Sequence, residues 1–151
     1  MKHMAIAVRI AAAVLMLGLF AAPVSAQTVP SATVQEILIK TSLLTFNDAN
    51  ITGNYDVFHA RLAKPFRDQF PPQKLAEIFK GFRDQHVYLD LIAPMKPIAT
   101  EEPKVDGNGR LTLKGYFDTS PSRTSYDLAY IKSGDEWQLI SINLDLKKSD
   151  K

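Results

Sequence analysis

Between Asp106 and Leu146 the chain gives the same instruction three times: an alternating segment, then a turn. Arg110 to Asp118 (RLTLKGYFD) sets Leu111, Leu113, Gly115 and Phe117 against Thr112, Lys114 and Tyr116. Successive strand side chains point to opposite faces, so this pattern predicts a strand with one face in a core. Asp106-Gly107-Asn108-Gly109 before it is a hairpin turn, because glycine and asparagine tolerate positive φ. Thr119 to Ser122, with Pro121, is the next connection, and Arg123 to Lys132, rich in Tyr and β-branched residues, is the next strand. Ser133-Gly134-Asp135 turns the chain again. In Glu136 to Leu146, Ile140, Ile142, Leu144 and Leu146 share one parity and Trp137 and Leu139 the other. Apolar residues on both faces of this last strand call for a sharply curved sheet that wraps its helices, or for a homodimer through the outer face.

Upstream the period changes from two to about 3.6. Ser31 or Thr33 is placed to cap a helix carrying Val34, Ile37, Leu38, Leu44 and Ala49, widened by Leu43 and Phe46 and stopped at Gly53-Asn54. Tyr55, Phe58, His59 and Leu62 follow at i, i+3, i+4 and i+7, and Pro65 ends that second helix. Phe66 to Phe70 shows no assignable period. Pro71-Pro72 opens a third helix with a Leu75, Ile78, Phe79, Phe82 stripe, weakened at Gly81 by ~1 kcal/mol relative to alanine. Val87 to Ile92 reads as a short strand. Pro94, Pro97 and Pro103 confine any strand over Met95 to Pro103 to a sheet edge or a bulge. Three N-terminal helices followed by three to four antiparallel strands predict an α+β domain with the helices on one face of a curved sheet.

Residues 1–26 read as an export signal. Lys2 and Arg9 precede the apolar run IAAAVLMLGLFAA, and Val24-Ser25-Ala26 fits a small-x-small cleavage site, so cleavage is expected after Ala26. That run of about 13 residues is short of the roughly 20 needed to span a bilayer. The expected location is the periplasm or outside the cell, with no membrane association after cleavage. The remaining 27–151 stretch suits a single domain. With Lys2 and Arg9 removed, 16 of the 18 basic residues face 16 acidic ones, so nothing steers the mature chain toward nucleic acid. The absence of cysteine excludes thiol catalysis and thiolate metal sites.

Two segments carry a likeness: LTFNDANITGNYDVFH in the helical half and RLTLKGYFDTSPSRTSYDLAYIKSGDEWQLISINLDL in the strand half. Over about residues 33 to 147 the layout resembles the nuclear-transport-factor-2-like superfamily (the SnoaL and ketosteroid-isomerase-like fold), particularly its small exported members, in which a Trp opens the final strand. The resemblance implies helices packed into a strongly bent, cone-like sheet. The short strand usual between the second and third helices is not readable here. That superfamily holds isomerases, dehydratases, polyketide cyclases, scaffolds and exported proteins, so the fold does not choose an activity.

The residues suited to a site are few. His59 lies on the apolar stripe of the second helix, where it is either a general base or ligand contact, or a packed core histidine. His86, at a helix-to-strand junction, reads as a surface residue. Tyr55, Tyr116, Tyr126 and Tyr130 form an aromatic set. Tyr126 and Tyr130 share a strand face, Tyr116 is expected to join them from the neighbouring strand, and Asp127 points away. That parity argues against an Asp–Tyr pair of the steroid-isomerase kind. Two histidines remain after cleavage, about 27 residues apart and without paired carboxylates, so no metal is expected. No phosphate loop, nucleophile elbow or HExxH motif occurs and no cofactor is implied. The first reading is an exported non-catalytic module that binds a small apolar molecule or a protein partner, with Tyr55, His59, Tyr116, Tyr126 and Tyr130 as contacts. An isomerase or dehydratase with His59 as base and a tyrosine as electrophile, and a structural envelope protein, stand as alternatives.

Overall fold

The computed structural model describes residues 28–148, so the expected export signal lies outside the described residues. Five helices lead: α1 (Ala32–Thr52), α2 (Asp56–Ala60), α3 (Lys64–Gln69), α4 (Pro72–Ile78) and α5 (Lys80–Asp84). A 3-10 turn, Asp90–Ile92, precedes the strands β1 (Ile98–Ala99), β2 (Lys104–Val105), β3 (Arg110–Phe117), β4 (Ser122–Ser133) and β5 (Glu136–Lys148). The chain is therefore α+β, with an open antiparallel sheet. β4 lies between β3 and β5, while β1 and β2 both pair with the far edge of β3. Among the described residues no helix is long and apolar enough to cross a membrane.

Two turns of α1 explain its limits. The Ser31 hydroxyl accepts from the Val34 amide at 3.4 Å, and Gly53 takes the left-handed conformation, φ 72°, that closes a helix without a Cβ clash. The face that α1 buries carries Ile39, Leu43, Phe46, Asn47 and Asn50. Val34 and Ile37, expected on the buried stripe, are 38% and 57% exposed. The apolar surface of α1 thus winds from the core at its C-terminal half to an open flank at its N-terminal half.

The three expected helices after Thr33 resolve into five. Pro65, read as a stop, stands in the first turn of α3, where the missing N–H has no partner to lose. The third expected helix divides at Phe79 rather than at Gly81. The break sets both Phe79 and Phe82 edge-on against Phe46, with centroids 4.7 and 5.5 Å away. Each such aromatic pair contributes about 0.5–1.5 kcal/mol beyond its buried area, so ring packing outweighs the propensity for one continuous helix. Val87 to Ile92 is not a strand. The Leu89 amide donates to Asn47 Oδ1 at 2.8 Å, and Asn47 Nδ2 donates to the Asp90 carboxylate at 3.2 Å, so a side chain of α1 takes up the Leu89 bond a strand would need.

The hairpin turn before β3 forms as expected. Asp106 Oδ1 accepts from the amides of Asn108 and Arg110 at 2.8 and 3.0 Å, and Gly109 has φ 75°. The proline-rich stretch yields only the two-residue edge strands β1 and β2. Along β3 buried and partly exposed residues alternate at every position.

The two apolar parities of β5 have a simple cause. Ala129 pairs with Ser141, but Tyr130 pairs with Leu139, so Ile140 is one residue extra. This β-bulge reverses the parity within one strand. Leu139 before it and Ile142 after it both face the core, and Leu144 and Leu146 pack against it. The outer face instead carries Lys114 between Glu101 and Asp127, at 3.3 and 3.5 Å, and Arg123 stacked 4.2 Å from the Tyr116 ring centre.

Candidate functional site

The helices leave a gap where the N-terminal half of α1 diverges from the β4–β5 hairpin. It is an open cleft of about 450 Å³. Val34, Ile37 and Leu38 of α1 form one wall, and Trp137 and Leu139 of β5 form the other. Phe58, Arg61 and Leu62 close one end, and Asp135 and Glu136 from the β4–β5 turn stand at the rim. The end wall is held in register by backbone. Leu62 forms a parallel bridge to Leu139, and the Ala63 amide donates to the Leu139 carbonyl at 2.8 Å. A single strand-like pairing thus occurs between the second and third helices, too short to leave a pattern in sequence.

Tyr130 sits at the base of this cleft. Its phenol donates to the Leu38 carbonyl at 3.0 Å and lies 3.0 Å from the Ser42 hydroxyl. With the phenol proton committed to Leu38, Ser42 donates to the phenol oxygen and keeps its own lone pairs for the cleft. Burial holds the Tyr130 pKa well above the ordinary phenol range, only partly offset by the Ser42 bond. The group is therefore a fixed, neutral hydrogen-bonding point in an apolar wall. Thr41 and Thr45, one turn apart on α1, add hydroxyls to the same lining.

The other expected site residues are dispersed. Tyr55 is buried in the core, stacked near Phe79 with ring centres 6.3 Å apart, and its hydroxyl donates to the Asn50 side chain. Tyr126 shares the inner face with Tyr130, as parity requires, but packs against Phe117 at 5.8 Å and over Gly115. Desolvation pushes its pKa up to about 12. Tyr116 does not join them. The register sets Gly115 opposite Tyr126 and Tyr116 opposite Ser125, which puts Tyr116 on the outer face under Arg123. The His59 ring turns to the Arg67 carbonyl, 3.1 Å from Nε2, and forms no part of the cleft wall. Of the five, only Tyr130 lines the cleft.

Three residues outside that set matter to these sites. Ser42 supports the Tyr130 phenol. Asn47 and Asn50 are buried on α1 and tie its C-terminal half to the segment after α5 and to Tyr55. Two asparagines three residues apart inside an apolar helical stripe are the readable trace of such a role, because a buried amide needs partners. Among the described residues no three metal-ligating side chains come together. No family model matches this chain, and neither a curated protein nor a solved structure is significantly similar to it.

Proposed function

We propose that this chain is an exported module of nuclear-transport-factor-2-like layout that holds a small apolar molecule in the α1/β5 cleft. The observation that carries the reading is the open apolar wall of α1. Ile37 stays 57% exposed on the flank of a cleft floored by a neutral, fully bonded phenol. Leaving such side chains uncovered forgoes roughly 25 cal/mol per Å² of apolar surface. Ligand pockets have this character: apolar walls, a few placed polar groups and a volume of about 300–1,000 Å³. The molecule that fits has a slim apolar body and one hydrogen-bonding group, which meets Ser42. Among the described residues the outer face of the sheet carries Glu101, Lys114, Asp127 and Arg123, which favours a ligand over a dimer through that face. Export rests on the basic, apolar and small-residue order of residues 1–26, which expects a mature chain beginning at Gln27.

N-phenyl-1-naphthylamine, a neutral apolar fluorophore, tests the reading. It should bind the mature protein saturably, and Ile37→Glu should weaken it about tenfold or more, since placing a charge against the probe forfeits at least 1.4 kcal/mol. A glutamate at that exposed helical position leaves the core untouched. Absent saturation, or equal affinity for wild type and Ile37→Glu, would sink the proposal.

A further inference from the structure

A second depression, about 290 Å³, opens at the other end of α1. Its lining carries Asn50, Arg83 and His86 with Ile51, Val87 and Tyr88, and no carboxylate. Asn50 is only 4% exposed. Its Oδ1 is occupied by the Tyr55 phenol, which turns Nδ2 the other way. Nδ2 makes no hydrogen bond among the described residues, yet no polar atom sealed from solvent is without a partner, so Nδ2 opens into the depression. Arg83 pairs with no carboxylate among the described residues; its guanidinium stands by the Tyr55 hydroxyl, and its remaining N–H groups are left for a ligand. The three polar contacts that converge are thus an amide N–H, a guanidinium and an imidazole.

The backbone adds an independent observation. The His86 amide donates to the Arg83 carbonyl and the Val87 amide to the Phe82 carbonyl, both at 3.0 Å, which is the Schellman pattern at the end of α5. His86 occupies the left-handed position of that motif, φ 50°, where glycine is favoured because it has no Cβ to clash. His86 lines the depression from this position. The carbonyl ends of α1 and α5 count for at most about half a negative charge each, and the Schellman bonds take up carbonyls of α5, so Arg83 dominates the local field.

We propose that this depression is a binding site for a small organic carboxylate. The carboxylate accepts from Asn50 Nδ2, the Arg83 guanidinium and the His86 ring, and its apolar body lies on Ile51 and Tyr88, which are 50% and 57% exposed. The site is separate from the α1/β5 cleft and does not depend on it. Benzoate is the probe and benzamide, its neutral isostere, the comparison, both titrated into the ¹⁵N-labelled mature protein. Benzoate should shift the Asn50 side-chain amide and the backbone amides of residues 83–88 saturably, with benzamide at least about tenfold weaker. Arg83→Met, which keeps the apolar stem, should weaken benzoate by about tenfold or more. His86→Gly should also weaken it while raising Tm, a combination that a purely structural His86 would not give. Equal binding of the two probes, no shift at about 10 mM benzoate, or full affinity in Arg83→Met and His86→Gly would overturn the proposal.

Discussion

Gly115 is the position at which the packing makes its sharpest demand. In mid-strand, glycine to alanine ordinarily stabilises by roughly 0.5–1 kcal/mol. Here an added Cβ would lie 2.2 Å from the Ile98 carbonyl oxygen, 2.5 Å from the Tyr126 hydroxyl and 2.8 Å from its ring carbon. Non-bonded carbon contacts settle near roughly 3.5 Å, so each neighbour must retreat by about an ångström. Overpacking of this kind costs about 1–3 kcal/mol, and two obstacles, one of them backbone, place the cost at the upper end. Net of the glycine effect, Gly115→Ala should lose about 2 kcal/mol. For a domain of this size that lowers Tm by roughly 6–10 °C, read by calorimetry or circular dichroism. Tyr126→Phe in the same background removes the hydroxyl at 2.5 Å but leaves the ring carbon and the Ile98 carbonyl. It should restore about half of the loss, a coupling of about 1 kcal/mol in a double-mutant cycle. An unchanged or raised Tm in Gly115→Ala would mean that β1 and the Tyr126 ring do not close over this strand.

Three further perturbations probe the same structure. Tyr130→Phe removes the hydrogen bonds to Leu38 and Ser42 and should cost about 1–2 kcal/mol in urea unfolding, since both partners retain helix or cleft contacts. Deleting Ile140 removes the one extra residue and leaves Leu139 and Ile142 two positions apart on the core face of a regular strand, so far-UV circular dichroism should still show a cooperative transition; its loss would contradict the register. Asp106 is held below its ordinary carboxylate pKa, chiefly by the Arg110 and Asn108 backbone amides. A depressed folded-state pKa means that its contribution is present above the unfolded-state value and is lost as pH falls through the folded one. Hydrogen exchange at Asn108 and Arg110 should therefore quicken relative to the rest of β3 as the pH is lowered through the acidic range, and Asp106→Asn should reduce that extra rise.

The strand half was readable because its signals are local. Turn residues fixed β3, β4 and β5 to within two residues, and the Asp106 hairpin needed only side chains that bond their own backbone. The helical half was less so, because its breaks come from contacts distant in sequence. The division at Phe79 serves Phe46 on another helix, and Val87 to Ile92 loses its strand to Asn47, more than forty residues earlier. The bulge at Ile140 leaves no compositional mark, so one core face read as two faces. The site followed the same rule. Parity placed Tyr126 and Tyr130 together, but only the β3–β4 register could show that Tyr116 lies outside. The cleft itself depends on how far α1 diverges from β5, which no single segment encodes.

A small apolar molecule should bind between α1 and β5. A ¹H–¹⁵N map of the mature protein titrated with N-phenyl-1-naphthylamine locates it residue by residue. Saturable shifts are expected at Leu38, Ser42, Tyr130, Leu139 and the Trp137 indole, the chain's only tryptophan. Shifts confined to other surfaces, or none at saturating probe, would contradict this placement.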